Sequence, residues 1–113
     1  MGDPRVWLVT STVPTRADAV DLARAVVRER LAASAEVNGP TVSIFWHLGE
    51  LGEGEEWRVV ARTGTATRDA LTARLAEMHP WENPEISAMP LAWCPDAYAE
   101  WVERATGSQG SGD

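Results

Sequence analysis

The sequence predicts an α+β fold, four strands and two helices in the order βαββαβ followed by a third helix. Three patterns carry that prediction. Apolar residues recur at helical spacing in two separate segments, two further segments alternate apolar and polar residues about a Gly-rich stretch, and short β-prone runs stand at either side. This order is the split βαβ, ferredoxin-like arrangement, in which an antiparallel sheet carries its helices on one face.

Val6-Trp7-Leu8-Val9-Thr10 is continuously apolar rather than alternating, which predicts a strand covered on both faces and central in its sheet. Thr15 followed by Asp18 signals a helix start, after which Ala19, Leu22, Ala23, Val26, Val27 and Leu31 repeat at helical spacing. Asp21, Arg24 and Arg28 fall on the opposite face. Asn38-Gly39-Pro40 marks a bend. Beyond it Val42, Ile44 and Trp46 alternate with Ser43, Phe45 and His47, and Trp57, Val59 and Ala61 alternate with Arg58, Val60 and Arg62. Residues 49–54, rich in glycine and glutamate, read as the turn of this long hairpin. The next helix covers about residues 67–78, with Leu71, Leu75 and Met78 at i, i+4 and i+7. Residues 85–91 form the last strand. Pro95 then opens a helix whose stripe is Tyr98, Trp101, Val102 and Ala105, closed by Gly107. Residues 1–106 make one domain, and residues 107–113 form a flexible tail by composition.

Helices on one face leave the other sheet face bare, and six tryptophans are more than the core of a 113-residue monomer can take. Self-association follows, with aromatic residues at the interface. The net charge is −7, with 17 acidic residues against 10 basic ones, all arginine and in no stripe, which excludes nucleic acid as a partner. Cys94 is the only cysteine, so neither an intrachain disulfide nor a thiolate cluster can form. No run reaches membrane-spanning length and no apolar leader follows a basic start, so a soluble cytoplasmic protein is expected.

The stretch Met78-His79-Pro80-Trp81-Glu82-Asn83-Pro84-Glu85-Ile86 is the first place to look for function. Pro80 ends the helix, so His79 is held at its C-terminal end. There it is either a ligand or proton-exchanging group or a histidine set against the helix dipole. Trp81, large and apolar between two prolines, is placed to pack on something specific. Arg62 suits either a carboxylate or phosphate ligand or a structural ion pair with Glu55, Glu56 or Glu85 of a neighbouring subunit. The glutamates at 50, 53, 55 and 56 lack the spacing of a calcium loop and read as a solvated turn. Met78 fits core packing better than thioether ligation. Cys94 reads as a half-buried residue before the last helix. No nucleophile or phosphate-loop motif is present. One enzymatic alternative remains, with His79 as general base oriented by Glu82 or Glu85.

Four signatures in this order resemble the CutA family, named for divalent-cation tolerance, over about residues 6 to 106. They are Ala19-Val20-Asp21-Leu22-Ala23 running to Arg30-Leu31-Ala32-Ala33; Ser43-Ile44-Phe45 with Gly49 and Leu51; Glu55-Glu56 leading to Arg62-Thr63; and His79-Pro80-Trp81 with Pro84-Glu85-Ile86. The resemblance implies a homotrimer whose long hairpins bridge subunits, with a likeness to PII signalling proteins and their intersubunit ligand clefts. It implies no enzymatic activity and no required cofactor, with copper or another divalent cation as ligand: His79 as the metal residue, and Arg62, Trp81 and Glu85 lining the cleft. Ser11 and Ser34 stand where some members have cysteine, Met78 where some have a second histidine, and His47 where the hairpin usually has tryptophan. Losing cysteine removes the softest copper ligand. The alternatives are a small enzyme using His79 and a purely structural trimer that holds partner proteins.

Overall fold

A computed structural model describes residues 2–107. Its elements are β1 (Val6–Val13), α1 (Arg16–Arg28), β2 (Ser34–His47), β3 (Glu50–Gly64), α2 (Arg68–Met78), β4 (Ile86–Pro90) and α3 (Asp96–Ala105). The sheet is antiparallel in the order β2-β3-β1-β4, the ferredoxin-like topology, with β1 in its interior as its unbroken apolar run requires.

Thr15 caps α1 by accepting a hydrogen bond from the Asp18 N–H at 3.1 Å. Ala19, Leu22 and Val26 of α1 and Leu71 and Leu75 of α2 meet Val9, Val13, Val59 and Ala61 of the two central strands in one buried cluster. Strand alternation puts Val9, Ser11 and Val13 on this face and Val6, Leu8 and Thr10 on the other. Helix α1 ends before Leu31. Arg30 takes a left-handed φ of 60°, and Leu31 reaches the core from beyond the helix.

Helix α3 takes the other face. Ala99 and Val102 close over Val6 in a second cluster, so part of the face expected to be bare is covered. The remainder is mixed rather than apolar: Leu8, Val60 and Met89 share it with Thr10, Arg58, Arg62 and Glu36, and register puts Trp7 and Trp57 on the helix side. The expectation of tryptophans on a bare face is thus corrected, because an unbroken apolar run does not say which residue faces which way. The Gly107 N–H donates to the Arg30 carbonyl at 2.7 Å, which fastens the end of α3 to the exit of α1. The other residues of the expected tail, 108–113, lie outside the described residues.

The hairpin departs most from expectation. β2 begins at Ser34, and Asn38-Gly39-Pro40 is absorbed as an irregularity in the ladder rather than preceding it. The turn is only Leu48-Gly49, and Glu50 to Gly54 are strand residues paired with Ser43 to His47. Gly52 is there to admit Phe45, whose ring carbon would lie 2.6 Å from an added Cβ. Residues 41–56 pair only with each other, as an arm on which Val42, Ile44, Leu51 and Trp46 are 63%, 65%, 69% and 76% exposed. At Gly39, with φ 156°, a Cβ would fall 2.8 Å from the Trp57 ring and 3.2 Å from the Glu56 carbonyl. Gly39→Ala is therefore expected to cost about 1–3 kcal/mol, seen as a lower urea midpoint at unchanged slope.

Two ion pairs staple the surface. Arg5 forks onto Glu103 at 2.7 and 3.1 Å, and Arg74 onto Glu29 at 2.9 and 3.1 Å. Hydrogen bonds from the guanidinium groups hold both carboxyls below their ordinary value of 4.5. A lowered carboxylate contributes stability that is complete above the ordinary value and is lost as pH falls through the lowered one. Both pairs are exposed, so that contribution is small.

Candidate functional site

Pro80 terminates α2 at Met78 and leaves His79 as the capping residue in extended conformation. The imidazole is only 9% exposed. Its Nδ1 accepts the Trp81 N–H at 3.0 Å, and its Nε2 lies 2.6 Å from the Thr12 carbonyl of β1. An imidazole that accepts at Nδ1 carries its proton at Nε2, so Nε2 donates to Thr12. One residue earlier, the fully buried Ser11 hydroxyl donates to the Glu85 carbonyl at 2.9 Å. Neighbouring residues of β1 therefore pin both ends of the 79–85 segment. Within it the His79 and Trp81 rings sit 5.3 Å apart, tilted by 44°.

Trp81, 39% exposed, stands with Asn83 on one side of a cleft of about 550 Å3. Phe45, His47, Gly54, Glu55 and Glu56 of the arm form the other side. Glu85 is anchored by its backbone, and its side chain is exposed. Arg62 lies elsewhere, opposite Leu8 on the open sheet face, with Nη2 3.0 Å from Glu36 Oε1. Four residues of strand separate Leu8 from Thr12, about 13 Å. The protomer brings His79, Trp81 and the Glu85 backbone together and leaves Arg62 apart. Within the protomer its ion-pair partner is Glu36.

With both ring nitrogens engaged, His79 offers no free lone pair, and a metal there would have to displace the Trp81 N–H or the Thr12 carbonyl. Among the described residues no group of three or more His, Cys, Asp or Glu side chains converges to hold a metal ion. The protomer's own residues thus do not fit a divalent cation at this turn. General-base catalysis fits no better: the basic nitrogen is occupied, and the oriented nitrogen faces a backbone carbonyl rather than a carboxylate. Met78 packs on the core, and Cys94 sits half-buried against the Val6 cluster. Sequence reasoning missed the pinning roles of Ser11 and Thr12 and the cleft contributions of Phe45 and Glu56. Ser11 stands between two threonines late in β1 and is not marked out by residue type, and Thr12 acts through its backbone and gave no signal.

The family described as CutA1 divalent ion tolerance protein matches residues 7–105. The divalent-cation tolerance protein CutA of Thermus thermophilus is 35% identical over 100 residues, covering 88% of this chain and 97% of that protein. A solved structure of the Thermus thermophilus divalent cation tolerance protein superposes with a TM-score of 0.86 at 34% identity, covering 90% of this chain and 99% of that one. A structure from Archaeoglobus fulgidus, described as a periplasmic divalent cation tolerance protein, shares the fold with a TM-score of 0.84 at 21% identity, over 88% of this chain and 97% of that one. None of these names is an enzyme's. Among the described residues, no helix is long and apolar enough to cross a membrane. The match over residues 7–105, at this identity and in this fold, makes the protein a member of the CutA1 family of divalent ion tolerance proteins.

Proposed function

We propose that the chain works as a homotrimeric, non-enzymatic divalent-cation tolerance protein in the cytoplasm, taking its ligand in PII-like clefts between subunits. The arm is the observation that carries this. Val42, Ile44, Trp46 and Leu51 share one face of the arm with Glu53 and Glu55, and all four apolar side chains are exposed. A second copy is the nearest source of cover, and Leu8, Val60 and Met89 on the mixed open face offer it further apolar contacts. Names of relatives support the link to divalent cations. The lone, unpaired Cys94 supports a cytoplasmic location, whereas the Archaeoglobus fulgidus relative is described as periplasmic. The two bonds of His79 favour one second reading, a structural trimer that holds partner proteins, in which the imidazole only shapes the turn.

Light scattering is the deciding measurement. The expected mass is three times the 12.3 kDa of the protomer, falling to one protomer when Ile44→Asp is combined with Trp46→Asp. A wild-type protein that scatters as a single protomer in dilute solution sinks the proposal. Calorimetric titration with copper(II) then addresses the metal, with His79→Ala in parallel. Because both nitrogens of His79 are occupied, equal heats are expected from the two proteins. Saturable binding at one copper per protomer that disappears in the variant would instead put the metal on His79.

A further inference from the structure

We propose that the cleft between the arm and the Trp81 turn binds a small organic ammonium ion, held between aromatic faces and the carboxylate of Glu56. This cleft is formed within one protomer and goes beyond the intersubunit clefts proposed above, resting on that reading only for staying open in the trimer.

The aromatic walls are Phe45 and Trp81, and neither is free to drift. Phe45 is seated over Gly52, where any Cβ would collide with it, and Trp81 is tied through its backbone N–H to His79, itself tied to Thr12. His79 is a positioning residue for this wall. No arginine borders the cleft, so its charged side chains are carboxylates alone. Glu29, Glu36 and Glu103 each have an arginine partner. Glu56 is half-buried and has no cation partner among the described residues. Alternation places its side chain on the same strand face as Gly54 and Gly52, whose partners across the ladder are Ser43 and Phe45. Gly54 adds no side chain to fill that floor.

A half-buried carboxylate without a counter-charge favours a cation. The choice between a metal and an organic cation follows from the remaining lining. A hard divalent ion needs six or so oxygen ligands, and three converging ligand side chains are not found among the described residues. An ammonium ion needs no such shell. It is stabilised over a tryptophan or phenylalanine face and by one carboxylate, with Asn83 and His47 at the rim for a polar substituent. About 550 Å3 is ample for a ligand of a few carbon atoms around one nitrogen.

The test uses choline as probe and its uncharged carbon isostere, dimethylbutanol, as control. Both are titrated into the full chain, followed by calorimetry and by the indole N–H resonance of Trp81, with light scattering on the same samples. Choline is expected to bind saturably and to move that resonance, with the isostere at least about tenfold weaker. Trp81→Leu keeps the apolar bulk without the tryptophan face, and Glu56→Gln keeps the shape without the charge. Each is expected to weaken choline binding about tenfold at unchanged mass. No choline binding to a trimer, equal binding of the isostere, or full binding by both variants overturns the ammonium site and leaves the trimer standing. Choline binding to a protein of protomer mass upholds the site and overturns the trimer.

Discussion

His79→Ala is expected to lower the free energy of unfolding by about 2–4 kcal/mol. The loss comes from what the imidazole leaves behind. Thr12 is 3% exposed, and its carbonyl loses the Nε2 donor; the Trp81 N–H loses its acceptor at Nδ1. A buried polar group stripped of its partner costs about 1–3 kcal/mol, more than the net worth of the bond itself. The volume vacated between β1 and the turn adds a packing loss. Chemical denaturation of wild type and variant measures the sum. His79→Asn makes the comparison sharper, because an amide can both donate and accept. Partial recovery in the asparagine variant points to the hydrogen bonds, and none points to the ring's volume. A His79→Ala protein as stable as wild type would mean that the turn is held by Ser11 and the prolines alone.

Leu75→Ala is expected to be about as damaging or worse, costing about 3–4 kcal/mol. Leu75 is fully buried on the inner face of α2, in the cluster that includes Leu71, Leu22, Val26, Val9 and Val59. Truncation removes three carbons from water-free surroundings and leaves a cavity that two helices and a four-stranded sheet cannot collapse to fill. In a trimer the measured effect belongs to the assembly as well, so the comparison has to be made at one protein concentration. Leu51→Ala is the natural contrast. Leu51 is 69% exposed on the arm, and the same truncation there should barely change protomer stability while weakening association.

What could be read from the sequence was local. The Thr15 cap, the inward stripe of α1, the end of α2 before Pro80 and the central place of β1 all depend on residues within a few positions of one another. The arm could not be read in the same way. Glycine and glutamate in residues 49–54 mimic a turn, yet Gly52 is there for the Phe45 ring across the ladder, and Glu50 and Glu53 are exposed strand residues. The open face was misjudged because assigning sides needs register, and register is what pairs Arg62 with Leu8 and sets it near Glu36. His79 was placed correctly at its helix end, but its partner Thr12 lies 67 positions earlier in the chain. A backbone carbonyl leaves no trace in residue identity, so a structural histidine and a metal-binding one look alike in the sequence.

The arm also divides the molecule into two thermodynamic units. A two-stranded ribbon with no third strand and no helix on either side is marginal by itself, whereas β1, the inner half of β3 and the two helices around them open only with the whole protomer. Amide hydrogen exchange in residues 41–56 should therefore follow protein concentration, slowing as chains associate, while exchange in β1 should follow denaturant and ignore dilution until the assembly itself is lost. Across the bend at Gly39-Pro40 a single ladder would then report two different equilibria, one of folding and one of company.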